Sequence, residues 1–233
     1  MRTPFAKSGS VFNNMTAIQL GVVAVRELMN RADIAPDEID QLVYGTVVPS
    51  VLAPNIAREV TLGAGLPPRV PAFSVSRACA SANQAITSAA ETIGLGYADA
   101  IVAGGAEVLS DIPILVGKRL SKALVAASKA RSLGARVAPF TALRPRDLAP
   151  ITPAIAEPTT GESMGQSAER MAKENHISRQ AQDEWALRSH RLAAAGTADG
   201  RLTAEIVPTF VPPDYAEAIT SDNGIRADTS MEK

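Results

Sequence analysis

The chain has 233 residues, 46% hydrophobic and 20% charged, with a formal net charge of −1, which suits one large or two small domains with an ordinary apolar core. No run reaches the roughly 18 apolar residues of a membrane-spanning helix, and Met1-Arg-Thr-Pro-Phe5 lacks the apolar core of a secretory signal. One cysteine and two histidines exclude an internal disulfide framework and argue against a Cys/His zinc site, so no metal and a cytoplasmic location (mitochondrial in a eukaryote) are expected, and the near-neutral charge predicts no nucleic-acid partner.

The first half alternates helix-like and strand-like segments, as an α/β domain does. Residues 15–31 carry Leu20, Ala24 and Leu28 at helical spacing behind the capping candidate Thr16. Pro36, Asp37 and Glu38 open a short helix, and residues 41–48 read as a strand. A helix over 55–63 ends at glycine, 70–76 is a strand, 80–94 a helix, and 99–103 a strand closing on a Gly104-Gly105 turn. From 111 to 158 this rhythm is lost. Residues 114–133 could form one helix with Val116, Leu120, Leu124 and Ala127 on one side and Lys118, Lys122 and Lys129 on the other, with proline- and arginine-containing chain following to 157. Helices over 163–175 and 178–195 and a strand over 204–211 complete a second, mainly helical unit. The expected division is 1–111 and 112–233, with a basic insert at 112–146.

That insert is unlike its surroundings. It holds Lys118, Arg119, Lys122, Lys129, Arg131, Arg136, Arg144 and Arg146 without one acid, while the rest of the chain carries 15 basic against 24 acidic residues. Lysines opposite leucines on a helix suit an anionic membrane surface, or a partner subunit at such a surface.

Cys79 stands between the strand-like 70–76 and the helix-like 80–94. Backbone N–H groups and the dipole at a helix N-terminus favour the thiolate, the nucleophilic form. A lone cysteine is more often a small buried hydrophobe, but the strand-to-helix position points to a nucleophile. The helix behind it has small, uncharged residues all round from Ala80 to Ala90, with no charge before Glu91. This predicts packing on several sides, with the cysteine deep and reached through a channel.

These residues resemble the thiolase superfamily almost from end to end. The likeness rests on Arg2-Thr-Pro-Phe5, Tyr44-Gly-Thr-Val47, Asn55-Ile-Ala-Arg58, Cys79-Ala-Ser-Ala-Asn-Gln-Ala85, Val102-Ala-Gly-Gly-Ala-Glu107, Met164-Gly165, Gln182-Asp-Glu184 and Arg188-Ser-His190. The sequence after the cysteine, Ser110-Asp-Ile-Pro113, the basic insert and Asp222-Asn-Gly-Ile-Arg226 are most similar to the thiolase (β) subunit of the fatty-acid β-oxidation trifunctional complex. The resemblance implies a layered αβαβα fold, of which this chain supplies the first αβα half and an α-rich loop domain. It implies cleavage of a 3-ketoacyl-CoA by CoA to acetyl-CoA and a shortened acyl-CoA, with CoA a substrate and no cofactor.

Carried over residue by residue, Cys79 is the catalytic nucleophile and its backbone N–H part of an oxyanion hole, Met164 and Gly165 line the acyl tunnel, and Arg226 contacts the nucleotide of CoA. His190 is read as a packing or surface residue. The resemblance also implies a homodimer and a hydratase/dehydrogenase α-subunit partner. The Gly-His-Pro, Cys-x-Gly-Gly and Asn-Glu-Ala-Phe motifs of such enzymes do not occur, so the chain is expected to be a fragment, its first strand missing, and inactive alone. Two other readings stand beside this one: a non-catalytic acyl-CoA or lipid-binding protein, and a biosynthetic acetoacetyl-CoA thiolase.

Overall fold

The computed structural model describes residues 1–151 and 156–232. Part of the stretch expected to run as irregular chain to 157 therefore lies outside the described residues. The chain divides into two compact units, Met1–Asp111 with Arg179–Lys233, and Ile112–Ser178. The sequence expectation placed all of 112–233 in one loop domain. In the structure 179–233 belongs instead with the first unit, because it contributes the partners of the N-terminal segment described below.

The first unit is built on a parallel sheet of order β2-β1-β3, with β1 at Gln41–Gly45, β2 at Ala72–Val75 and β3 at Ile101–Gly105. Helix α1 (Ala17–Ala32) starts at a capping box in which the Thr16 hydroxyl accepts from the Gln19 amide and the Gln19 side chain accepts from the Thr16 amide. Helix α2 (Ile56–Ala64) is capped by Asn55 and ends at Gly65, whose φ of 88° is the left-handed conformation glycine adopts without strain. That is two residues beyond the glycine read from the sequence. Helix α3 is Ser81–Gly94.

The central strand is buried on both faces, as parallel strands are, with Leu42 and Val43 fully buried. Register decides what each face meets. Leu42 pairs with Ala72 and Val102, and Leu42, Tyr44 and Val102 join Val25, Ile56 and Val60 of α1 and α2 in one core cluster. Val43, Phe73 and Ala103 point the other way, toward the face on which α3 packs. The result is an α/β/α sandwich. Tight helix contacts rest on two glycines: a Cβ at Gly21 would fall 2.7 Å from Val60 Cγ2, and one at Gly63 2.6 Å from Val22 Cγ2. Gly104 and Gly105 end β3 and do not form a turn.

Only one side of α3 is covered. Ser81, Ala85 and Ala89, one helical stripe, are buried against the sheet, whereas Ile86 is 57% exposed and, just past the helix, Leu95 is 69% and Tyr97 80% exposed. The expectation of packing on several sides is therefore not met among the described residues. The small residues satisfy the close approach to β1 and β3, and that approach uses one face alone. From residue 179 onward the unit holds α7 (Arg179–Ala198), a 3-10 turn at Thr203–Glu205 and a strand pair, Thr209–Phe210 with Ala218–Ile219, so the single strand expected over 204–211 is shorter and preceded by a turn.

In the second unit, strands β4 (Leu115–Val116) and β5 (Pro150–Ile151) pair antiparallel, α4 runs Lys118–Lys129, α5 Leu133–Val137 and α6 Met164–Glu174. The single helix expected over 114–133 is thus broken at both ends. Gly117 caps α4 in an extended conformation and Ala130 leaves it extended. Leu120, Ala123 and Ala127 form the inward stripe of α4, which packs against α5 and the 3-10 turn Ala138–Phe140 of the same unit. Val116 lies in β4 and Leu124 is exposed, so neither belongs to the stripe that had been assigned to them.

Candidate active site

Strand β1 is followed by α2 on one face of the sheet and β2 by α3 on the other. Chain that leaves neighbouring parallel strands toward opposite faces opens a crevice at their carboxyl ends, where α/β proteins place ligands. Cys79 lies there, in the turn between β2 and α3, and its residue is exposed. The sequence expectation of a deep cysteine reached by a channel fails for the reason given above: among the described residues α3 is covered on one face only.

The turn is held from below. Ala78 has φ 46°, a left-handed conformation unusual for a residue with a Cβ. Ser81, 4% exposed, accepts from the Arg77 amide at 2.8 Å and donates to the Ala78 carbonyl at 2.6 Å. One buried hydroxyl thus ties the two residues before Cys79 to the first turn of α3, and the cysteine is left at the apex. Arg77 Nη1 donates to Gln84 Oε1 at 2.8 Å, and Gln84 Nε2 to Ser88 Oγ at 3.1 Å, which fastens the same turn to the second turn of the helix. The sequence signal for Ser81 was its place two residues after the cysteine, where a hydroxyl can serve the orphan amides of a helix start.

Glycines set how near α3 comes. A Cβ at Gly45 would lie 2.6 Å from the carbonyl carbon of Ser81, and one at Gly105 3.1 Å from Ala82 Cβ. Beside them Glu107, just past β3, accepts from the Val47 amide at 2.6 Å and the Val48 amide at 3.3 Å, joining the loops that follow β1 and β3.

Residues 2–10 are clamped from the far end of the chain. Arg2 makes a two-point contact with Asp222, at 2.7 and 2.9 Å, and a third with Glu205 at 2.5 Å. The Phe5 amide donates to Asp222 Oδ1 at 2.7 Å and the Lys7 amide to Asn223 Oδ1 at 2.8 Å. Partial burial pushes the Asp222 carboxyl up, but the Arg2 hydrogen bond, the Phe5 amide and the Arg2 charge together hold it below its ordinary value. This segment, the ends of β1 and β3 and Cys79 line a cleft of about 710 Å³. Tyr44 lies at its floor, and burial pushes its phenol up to about 12.

The remaining residues named from the sequence are elsewhere. Met164 and Gly165 open α6 in the second unit, behind the Ser163–Gln166 capping box, and Met164 is half exposed. Arg226 is exposed in the first unit and does not line the Cys79 cleft. Its backbone amide lies 3.2 Å from His190 Nδ1 and its Nε 3.3 Å from His190 Nε2. A given imidazole tautomer offers one acceptor, so only one of these two contacts is a hydrogen bond in either tautomer. His190, read from the sequence as a packing or surface residue, is the partner of Arg226. No group of three or more His, Cys, Asp or Glu side chains arranged to hold a metal occurs among the described residues.

The family model for the thiolase N-terminal domain matches residues 1–233. The 3-ketoacyl-CoA thiolase of Yersinia enterocolitica is 48% identical over 233 residues, covering 100% of this chain and 53% of that protein. The 3-ketoacyl-CoA thiolase of Pseudoalteromonas translucida is 48% identical over 232 residues with the same 53% share. Among solved structures, the acetyl-CoA acetyltransferase of Bacillus anthracis aligns with a TM-score of 0.81 at 28% identity, over 99% of this chain and 55% of that one. The chain spans about half the length of the curated relatives it matches.

Proposed function

The chain belongs to the thiolase family, and on that premise we propose that Cys79 is the acyl-accepting nucleophile in thiolytic cleavage of a 3-ketoacyl-CoA. The observation that carries the reading is the place of Cys79: exposed, at the head of α3, at the carboxyl end of the sheet where the strands diverge. The thiolate sulfur attacks the 3-keto carbon, the bond between carbons 2 and 3 breaks, and acetyl-CoA leaves as an enolate that takes up a proton. The acyl group, now a thioester on Cys79, passes to the sulfur of a second CoA, which restores the thiol. A helix N-terminus suits the oxyanion formed at the attacked carbon. With one cysteine in 233 residues, this proposal assigns the nucleophile and leaves the second acid/base thiol of the reaction without a candidate in the chain. The relatives at 48% identity carry the name 3-ketoacyl-CoA thiolase, which supports the 3-ketoacyl-CoA reading over the acetoacetyl-CoA one.

The test is intact-mass spectrometry after incubation with an acyl-CoA, followed by peptide mapping. A thioester mass increment on Cys79, absent in Cys79→Ser, is expected, because transfer of the acyl group from an acyl-CoA to the thiol, with release of CoA, is the half-reaction that needs the nucleophile and not the second acid/base thiol of full turnover. Binding of acyl-CoA with no adduct in the wild type would overturn the nucleophile role and favour a non-catalytic acyl-CoA-binding protein. Arg226 as a contact for the CoA nucleotide, Met164 and Gly165 as acyl-tunnel residues, a homodimer and a hydratase/dehydrogenase partner subunit belong to the same proposal. For Arg226 the check is a weaker CoA affinity in Arg226→Ala.

A further inference from the structure

Several arginines of the first unit pair with carboxylates: Arg2 with Asp222 and Glu205, Arg31 with Glu27, Arg69 with Asp37 and Arg201 with Asp199. Arg226 does not. Its contacts are with the imidazole of His190, at 3.2 Å from its backbone amide to Nδ1, 3.3 Å from Nε to Nε2 and 3.2 Å from Nη2 to Nε2, and no ion pair between Arg226 and a carboxylate occurs among the described residues. Asp222, four residues before it, is taken up by Arg2 and the Phe5 amide. A neutral acceptor orients a guanidinium without cancelling its charge, so the full cation stays available to an anion.

The segment that carries Arg226 is fixed at both ends. Asp222 and Asn223 accept from the Phe5 and Lys7 amides, the Asn223 side-chain amide donates to Ser10 Oγ at 3.1 Å, and the Arg226 carbonyl accepts from the Thr229 amide at 3.3 Å. His190 stands half buried in α7, so its ring reaches Arg226 from a helix and not from the loop it contacts. Backbone anchors place the Cα of Arg226 but leave its long side chain free to turn, and an exposed arginine loses that freedom when it binds a ligand. The imidazole removes part of that loss in advance. It faces the Nε–Nη2 edge of the guanidinium, and the Nη1–Nη2 edge that remains can take a phosphate with two parallel hydrogen bonds. The tautomer that holds the guanidinium is the one that accepts at Nε2 and carries its proton on Nδ1.

We propose that His190 is a positioning residue for Arg226: accepting at Nε2, it holds the guanidinium in the orientation in which Arg226 meets a phosphate of the CoA nucleotide. This rests on the reading of Arg226 as a CoA contact, and the test separates the two. The 233-residue chain is titrated calorimetrically with CoA and with pantetheine, which lacks the nucleotide, at about pH 8, where an ordinary imidazole is neutral. The fold of each variant is checked by circular dichroism. Arg226→Ala and His190→Ala are each expected to bind CoA on the order of tenfold more weakly, the double variant no more weakly than Arg226→Ala, and all three to bind pantetheine as the wild type does. His190→Gln carries an acceptor oxygen near the place of Nε2 and is expected to keep the wild-type affinity. His190→Asn, whose oxygen falls near the place of Nδ1 and within reach of the backbone amide only, is expected to behave as His190→Ala. Losses that add in the double variant would mean that His190 meets CoA itself, and rescue by asparagine but not glutamine would mean that the backbone contact is the one that counts; either result overturns the proposal. Full CoA affinity in His190→Ala beside a weakened Arg226→Ala overturns it too and leaves the Arg226 reading standing. An equal loss toward pantetheine in His190→Ala marks a merely structural role and also overturns it. An Arg226→Ala chain that binds CoA unchanged, or a wild type that binds none, removes the Arg226 reading and this proposal with it.

Discussion

Replacing Gly45 by alanine tests whether the seat of Cys79 depends on a backbone contact between β1 and α3. The new methyl would lie 2.6 Å from the carbonyl carbon of Ser81, 2.7 Å from the nitrogen of Ala82 and 2.8 Å from the oxygen of Ser81. Carbon atoms rest at about 3.5 Å or more, so the shortfall is close to 1 Å, and every atom met belongs to helix backbone that cannot rotate aside. Overpacking costs about 1–3 kcal/mol, and this site belongs at the upper end. The alanine recovers roughly 0.5–1 kcal/mol by restricting the unfolded chain, which leaves a net loss of about 2 kcal/mol. Because the Ser81 hydroxyl holds Arg77 and Ala78, a shift of the α3 head moves the cysteine turn as well, and alkylation of Cys79 by iodoacetamide should change rate with stability. Urea midpoints followed by far-ultraviolet circular dichroism measure the first effect. Gly94→Ala is the control: nothing lies within 4 Å of its added Cβ, and a gain of about 0.5–1 kcal/mol is expected within the same helix. A Gly45→Ala midpoint equal to or above that of the wild type would refute the contact.

Three further outcomes are expected. In Ser81→Ala the Arg77 amide and Ala78 carbonyl lose their buried partner, and a loss of about 1–3 kcal/mol should accompany faster, less temperature-dependent alkylation of Cys79; unchanged alkylation would show that the hydroxyl does not hold the turn. The Asp222 carboxyl is depressed in the folded chain from its ordinary 3.8, so its contribution is present above that value and is lost as acid carries the pH down through the folded value. Asp222→Asn should cost about 1–3 kcal/mol at neutral pH and flatten the wild type's acid loss below roughly pH 5, which a series of urea melts from neutral to acid would measure. Tyr44 titrates in the opposite range: its folded value of about 12 lies above the ordinary 10, so stability is full below pH 10 and falls as the pH rises toward and through 12. Tyr44→Phe should be near neutral at pH 7 and remove an alkaline loss of about 3 kcal/mol; an identical alkaline profile in the variant would exclude Tyr44 as its source.

The elements of the first unit were legible because each carries its own local signal. Thr16 with Gln19 wrote the start of α1, Asn55 that of α2, and the Leu42-Val43-Tyr44 run is apolar on both faces, as a central parallel strand must be. The misplaced boundaries have local causes as well. Gly63 reads as a helix stop, yet it lies inside α2 because its bare Cα admits Val22, and the chain reverses two residues later at Gly65. In the second unit the apolar spacing from 114 to 133 suits one helix, but Gly117 gives the backbone an extended alternative and Leu115 finds a strand partner 36 residues away at Ile151. Pairing at that separation leaves no trace in a helical period.

The site divides along the same line. Cys79 could be singled out as a candidate from sequence because a strand, a turn and a helix follow one another within a dozen residues, and the nucleophile role proposed for it rests on that position together with the family. Its support could not be found so, since Arg2 meets Asp222 across 220 residues and Glu107 meets Val47 across 60. The composition of α3 also admits two readings that only coordinates separate. Small residues on every side permit burial on every side, but the described chain uses one stripe, Ser81, Ala85 and Ala89, and leaves Ile86 and its neighbours in water. Smallness on the buried stripe follows from the 2.6 Å that a Cβ on Gly45 would leave to the backbone of Ser81. On the open side nothing in the first unit demands it: Asn83, Thr87 and Ala90 face solvent at positions where lysine or glutamate would be equally helical and more soluble. The uncharged outer face of α3 is therefore set by something other than packing within the first unit.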